Sequence, residues 1–208
     1  LLKPNLLAPK PPGAAVTTHP EVVRAVALAV MEAGGEVFLG DSPAVGSLAG
    51  VLKRTGIMPV VQELGIQMIP FRTPVPVPVP EGGVSRSFLL AEEATGYDLI
   101  LNLPKFKTHG MMTLTLAVKN MFGTVVGAAK PGWHLQAGDA VRFADMLLDV
   151  WSALPPGLSV MDGITAMEGN GPGSGDPLAL GILMASPSAL ALDCVAGPVA
   201  GLPIERHP

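Results

Sequence analysis

The sequence predicts an α/β fold, a mainly parallel sheet with a mixed edge and helices on both faces. Three observations carry this. Strand-like runs alternate with runs of helical spacing along the 208 residues, the order that crossover connections between parallel strands require. The run YDLILNL, Tyr97 to Leu103, is almost continuously apolar, as expected of a strand covered on both faces. Hydrophobic residues make up 49% of the chain and charged residues 14%, a balance that excludes disorder and supplies a sizeable core. The length suits one domain over residues 1–208.

The elements follow in order. LLKPNLL at the start reads as the tail of a strand. Thr18-His19-Pro20-Glu21 opens the first helix, with Thr18 as cap, Glu21 in capping-box register and Pro20 where its missing N–H is harmless. Val22, Val23, Val26, Val30 and Met31 keep helical spacing, and Gly34-Gly35 ends it. Glu36 to Gly40 is a strand, Ser47 to Thr55 is helical, Pro59 to Leu64 is a helix closed by Gly65, and Ile66 to Phe71 is a strand. Thr73 to Pro80, TPVPVPVP, carries prolines of one parity, so one edge can pair and the other cannot. It is an edge strand.

Phe88 to Thr95 is expected to be helical, Tyr97 to Leu103 a buried strand, and Thr113 to Phe122 a helix. Asp139 to Leu154 is an amphipathic helix with Phe143, Met146, Leu147, Val150 and Trp151 inward. Leu158 to Met161 is a strand ending at Asp162-Gly163, and Leu178 to Ala185 another. Ser188 to Gly197 is a helix that takes Cys194 into its apolar core. No internal repeat is visible.

Composition removes several functions. Mean hydropathy is +0.46, but Gly, Pro or a charge interrupts every apolar run before the roughly 18 residues a membrane helix needs. The net charge of -4 opposes general nucleic-acid binding. The single cysteine excludes an internal disulfide and any four-cysteine metal or cluster site from this chain alone, and it points to a reducing cytoplasm. The start at Leu1 and the abrupt IERHP end suggest a piece of a longer polypeptide.

Asn102 to Lys130 holds four of the seven lysines, Lys105, Lys107, Lys119 and Lys130, together with His109 and no carboxylate. Such a segment suits an anion. The polar residues elsewhere fall after predicted strands: Lys3 and Asn5 after the first, Asp41 and Ser42 after the second, Lys105 to His109 after LILNL, and Asp162 with Glu168 after LSVM. In open α/β sheets those carboxyl ends form the ligand crevice.

Lys105, Lys107 and His109 alternate, so an extended backbone puts them on one side. Lys119 and Asn120 lie on the helix expected from Thr113, whose free N–H groups would add anion affinity. Thr108, Thr113 and Thr115 offer hydroxyls. Crowding among lysines lowers the pKa of one of them, as a general base or Schiff-base amine needs. His109 is the candidate acid/base. A metal held by His109, His134 and Asp41 or Asp162 matches no known ligand spacing, so no metal is assigned. MEGNGPGSGDP, Met167 to Pro177, is a glycine-rich lid or backbone-donor loop whose Glu168 and Asn170 can enter the cleft; it is neither a Walker A loop nor GxGxxG.

Six blocks of this chain resemble the family known as domain of unknown function 362: KPNLL (Lys3 to Leu7), TTHPEVVRAV (Thr17 to Val26), GDSP (Gly40 to Pro43), NLPKFKTHG (Asn102 to Gly110), AVKNMFG (Ala117 to Gly123) and DGITAMEGNGP (Asp162 to Pro172). They span nearly the whole chain in order. The resemblance implies a bacterial or archaeal domain often joined to a ferredoxin-like module with [4Fe-4S] clusters. This chain lacks the cysteine array for a cluster, so such a module would lie beyond Pro208 or on a partner.

The expectation is an enzyme domain for a small anionic substrate, acting in redox chemistry fed by an iron–sulfur module. Catalysis falls to His109, Lys107 and Asp162. Binding falls to Lys3, Asn5, Asp41, Ser42, Lys105, Lys119, Asn120, Glu168 and Asn170. The alternatives are redox-independent proton or group transfer on an anionic metabolite, and a non-enzymatic module that binds an anion or docks a partner.

Overall fold

The computed structural model describes residues 1–127 and 130–203, without the side chains at 131 and 134–136. Eleven strands are present among the described residues: β1 (Leu2–Pro4), β2 (Phe38–Asp41), β3 (Gln67–Pro70), β4 (Pro74–Pro78), β5 (Ser87–Ala91), β6 (Leu101–Leu103), β7 (Lys105–His109), β8 (Thr113–Thr115), β9 (Leu158–Glu168), β10 (Asp176–Leu178) and β11 (Ile182–Ser186). The helices are α1 (Pro20–Glu32), α2 (Leu48–Thr55), α3 (Ile57–Glu63), α4 (Ala117–Asn120), α5 (Lys130–Ala137), α6 (Ala140–Ala153) and α7 (Ala189–Val199).

Nine strands form one sheet in the order β3-β2-β1-β6-β9-β7-β8, with β10 and β11 also on β9. The pairings from β3 through β7 are parallel, while β8, β10 and β11 add antiparallel edges. The mainly parallel sheet with a mixed edge is therefore observed. Leu2, Leu39, Leu101 and Leu103 point to one face, into a core with Val23 and Ala27 of α1, Val51 and Leu52 of α2, and Ile57 and Val61 of α3. On the other face a larger core joins Leu116, Phe143, Leu147, Val150 and Leu192 from around α4, α6 and α7.

Because successive strand residues alternate in direction, the positions between those leucines face the second side. There they are polar. Lys3, Asn102 and Ser159 stand in register across β1, β6 and β9, and each is at most 1% exposed. This buried polar row is the floor on which the candidate site rests.

Several local expectations are corrected. His19 caps α1, its Nδ1 accepting from Glu21 N at 3.2 Å. Thr18 is buried instead, where its hydroxyl accepts from Asn5 N and donates to the Leu103 carbonyl, tying the helix entrance to β1 and β6. Phe88 to Thr95 is not a helix: Phe88 and Leu90 are buried on alternate positions of β5, which pairs with β4, and a 3-10 turn follows over Glu92–Ala94. β4 pairs only with β5 among the described strands, so the proline-rich stretch is the expected edge strand.

Thr113 to Phe122 divides into β8, the short α4 and a 3-10 turn over Met121–Thr124. Thr113 enters β8 at φ 60, in the left-handed region that threonine seldom adopts. β9 runs through Asp162-Gly163 to Glu168, so Asp162 lies inside a strand and not after one. The last apolar run splits into β10 and β11 around Gly181, whose φ is +72. Cys194 is exposed rather than core, since α7 turns Leu192, Asp193 and Ala196 inward.

Candidate functional site

A cavity of about 570 Å³ opens above the polar row, lined by Lys3, Asn5, Asp41, Ser42, Lys107, His109, Thr115, Lys119, Asn120 and Lys130, with Leu6, Phe122, Gly123, Gly127 and Pro172 among its other walls. Four lysines face one carboxylate. The volume is that of a small-molecule site.

The cationic wall is built from four stretches of chain. Lys3 projects from β1 and meets Asp41, at the end of β2, at 3.2 Å; both side chains are nearly inaccessible. Gly123 is what lets them meet there. A Cβ at that position would overlap both Lys3 Nζ and Asp41 Oδ1. Asp41 also accepts from Ser42 N at 2.8 Å, and the Ser42 hydroxyl accepts from Gly127 N at 2.8 Å. Lys130 donates to the Ser42 carbonyl.

Lys107 is 1% exposed and has no ion-pair partner among the described residues. Its Nζ donates to Asn5 Oδ1 at 3.0 Å and to the Val16 carbonyl at 2.6 Å, both neutral acceptors. From Asn5 the bonds continue along the floor. Asn5 Nδ2 donates to Asn120 Oδ1 at 2.9 Å, Asn120 Nδ2 to Asn102 Oδ1 at 2.8 Å, and Asn102 Nδ2 to Ser159 Oγ at 3.1 Å. Thr115 stands directly across from Lys107 in the β7–β8 ladder. Its hydroxyl is buried, without a hydrogen-bond partner among the described residues, in a side chain that lines the cavity.

His109 reaches the cavity from the end of β7. Its Nδ1 accepts from Met111 N and Met112 N, each at 3.2 Å, so the neutral ring carries its proton at Nε2. Lys119, on α4, lies over the Phe122 and Phe143 rings, 5.7 and 5.2 Å from their centroids. The aromatic faces hold the cation where no acid does.

Burial and mutual repulsion set the charge of this wall. Lys107 is held well below the usual lysine range, first by burial and then by the charges of Lys119 and Lys105, against the attraction of Asp41. Lys119 is lowered to about 8 by burial and by Lys130. Lys130 is also lowered to about 8, by burial and by Lys3, with Asp41 opposing. Lys3 is lowered by burial despite Asp41. An anion entering the cavity would favour the protonated lysines and draw protons in with it.

The candidates from the sequence divide here. Lys3, Asn5, Asp41, Ser42, Lys107, His109, Lys119 and Asn120 come together in one cavity. Lys105 and Asp162 do not line it: they form a separate buried pair at 2.7 Å, in which Asp162 also accepts from His19 N at 2.8 Å. The pairing of β7 with β9 shifts between Lys105, opposite Asp162, and Lys107, opposite Met167, so the two lysines meet different partners on β9. Glu168 and Asn170 are exposed and outside the cavity wall.

The glycine-rich loop contributes Pro172, next to Gly171, which packs so closely on the Thr108 backbone that a Cβ would overlap it. The amides at the start of α4 are taken by Asp193, which accepts from Ala117 N at 2.7 Å and Val118 N at 2.8 Å. They are therefore not an anion site. Lys130 and Gly123 were not singled out as site residues; the lack of any acid between Asp98 and Asp139 is the signal that could have brought Lys130 in.

Among the described residues no group of three His, Cys, Asp or Glu side chains converges on a metal position. The His134 side chain lies outside the described residues. The residues present do not fit a [4Fe-4S] cluster either, since one exposed thiol on α7 cannot supply its ligand set. No helix among the described residues is long and apolar enough to cross a membrane.

A family model described as "Domain of unknown function (DUF362)" matches residues 1–197. The chain is also 49% identical over 203 residues to "Thylakoid-associated protein sll1697" of Synechocystis sp. (strain ATCC 27184 / PCC 6803 / Kazusa), a match that covers 94% of this chain. It spans 60% of the length of that relative.

Proposed function

The chain belongs to the DUF362 family, and within it we propose that this domain binds a small organic anion in the lysine-lined cavity and handles a proton on it. One observation carries the reading: four lysines and a single carboxylate line one cavity of small-molecule size. A structural role for the lysines would leave each paired with an acid. Among the described residues only Lys3 is paired in that way within the cavity.

Lys119 and Lys130 act as the anion-gripping pair, with Lys3 held as a fixed positive charge by Asp41. His109 stands on the cavity wall beside the bound anion, and Lys107 is positioned as the proton acceptor. This chain supplies no cluster ligands, and the proton step described here uses none of that chemistry.

Titration calorimetry with inorganic phosphate, pyrophosphate and citrate tests the binding. Wild type is expected to bind at least one of these while showing no response to glycerol. Lys119→Met/Lys130→Met should weaken binding by at least about tenfold, the loss of one or two charge-assisted hydrogen bonds. Affinity should fall as pH rises through about 8, where Lys119 and Lys130 lose their protons. Binding that is indifferent to both the double substitution and pH would overturn the reading.

A further inference from the structure

We propose that Lys107 is a Schiff-base nucleophile, so that the anion accepted by this cavity also carries an aldehyde or ketone carbon. The inference rests on the anion-binding reading and narrows it to oxo acids and related carbonyl anions.

The hydrogen bonds of Lys107 decide what its nitrogen can do. Two acceptors are in place, Asn5 Oδ1 and the Val16 carbonyl, and neither is charged. They account for both hydrogens of a neutral amine. The remaining valence is the lone pair, on a side chain that lines the cavity. A lysine kept for charge would face a carboxylate, as Lys3 and Lys105 do. Its environment disfavours the ammonium in the same sense, through burial and two neighbouring lysines.

A second feature supplies the partner for the carbonyl oxygen. Thr115 faces Lys107 across the β7–β8 ladder, where directly opposed side chains stand roughly 5 Å apart at Cβ. Its buried hydroxyl has no hydrogen-bond partner among the described residues. A buried hydroxyl without a partner costs on the order of 1–3 kcal/mol, and a carbonyl oxygen held there removes the deficit. The anionic end of the same molecule would lie toward Lys119 and Lys130.

The step balances without an oxidant or reductant. The Lys107 lone pair forms a bond to the carbonyl carbon as the carbonyl π pair moves to oxygen, which takes a proton. The carbonyl oxygen and the two amine hydrogens then leave as one water, and a C=N bond remains. That bond acidifies the adjacent carbon, where His109 can move a proton.

Reductive trapping tests the assignment. The full 208-residue chain is incubated with pyruvate and sodium borohydride at pH 7, and the modified lysine is mapped by peptide mass spectrometry. Lys107 is expected to be labelled at least about tenfold faster than the surface residues Lys10 and Lys53. Excess inorganic phosphate should protect it, and propanal should label it more slowly than pyruvate.

Lys107→Arg should lose the adduct, and phosphate calorimetry on the wild-type chain reads the anion site separately from the nucleophile. Should that variant misfold, the site distribution in wild type still decides the matter. Phosphate binding in wild type with labelling absent, or spread evenly over the lysines, overturns the Schiff-base role and leaves the anion site standing. Loss of both phosphate binding and labelling in wild type overturns both readings.

Discussion

Asp162→Asn isolates the energetics of the buried pair that lies outside the cavity. Asp162 is 0% and Lys105 1% exposed in the side chain, with Nζ and Oδ2 2.7 Å apart. The substitution keeps shape and an oxygen able to accept from His19 N, and it removes the charge that compensates Lys105 together with the 3.3 Å acceptor for Ile164 N. Breaking a buried pair from one side costs about 3–5 kcal/mol, a large part of the roughly 5–15 kcal/mol that holds a domain folded. For a chain of this size that corresponds to a fall in Tm of about 6–20 °C.

Lys105→Met/Asp162→Asn removes the stranded ammonium as well and should return stability to within about 1–2 kcal/mol of wild type, because neutral replacement of a whole buried pair is nearly balanced. Urea unfolding of the single and double variants, followed by circular dichroism, measures both. A single variant within about 1 kcal/mol of wild type refutes the argument. So does a folded Asp162→Asn protein that has lost phosphate binding, since neither residue lines the cavity.

Two other substitutions probe the frame of the site. Gly123→Ala places a methyl group against Lys3 Nζ and Asp41 Oδ1; it should cost about 3–5 kcal/mol by prising that pair apart, read by thermal melting, and an unchanged Tm counts against Gly123 as the reason the pair can close. Asp193 has its carboxyl raised to about 7 by burial, against the pull of two backbone amides. The native state therefore holds that proton where the unfolded chain has released it. Its contribution to stability is complete below about pH 4 and is lost as pH rises to about 7, on the order of 4 kcal/mol at most. Asp193→Asn should flatten that slope in urea titrations at several pH values, and should also cost about 1–3 kcal/mol at low pH because an amide accepts from only one of Ala117 N and Val118 N. An unchanged slope refutes the assignment to Asp193.

The sheet and its polar carboxyl ends were legible in the sequence because they rest on local period and order. Within YDLILNL only Ile100 to Leu103 is buried, with the strand confined to Leu101–Leu103 and Leu99 exposed, and the residues after it emerge at one rim. The placement of β5 and β8 was not legible. Phe88-Leu89-Leu90 is apolar at every position and fits helix or strand, and only the pairing of β4 with β5 settles it. Lys105 and Lys107 part for a reason that spacing cannot hold: Lys105 meets the Asp162 carboxylate on β9, and Lys107 stands opposite Met167. The capping of α4 by Asp193 bridges 75 and 76 residues, beyond the reach of any local signal. Cys194 was misplaced because α7 is apolar on both sides, and its exposed face carries Leu190, Val195 and Val199 as well.

The bonds along the cavity floor all run one way. Lys107 gives a hydrogen to Asn5, Asn5 to Asn120, Asn120 to Asn102, and Asn102 to Ser159. Turning Asn5 or Asn120 over would set like against like at a neighbouring amide, while the Ser159 hydroxyl at the far end can either accept or donate. Their dipoles add head to tail, giving the floor a sense of direction that begins at the amine and ends on β9. A change in what Lys107 offers is thereby handed on, residue by residue, to a hydroxyl on the far side of β6.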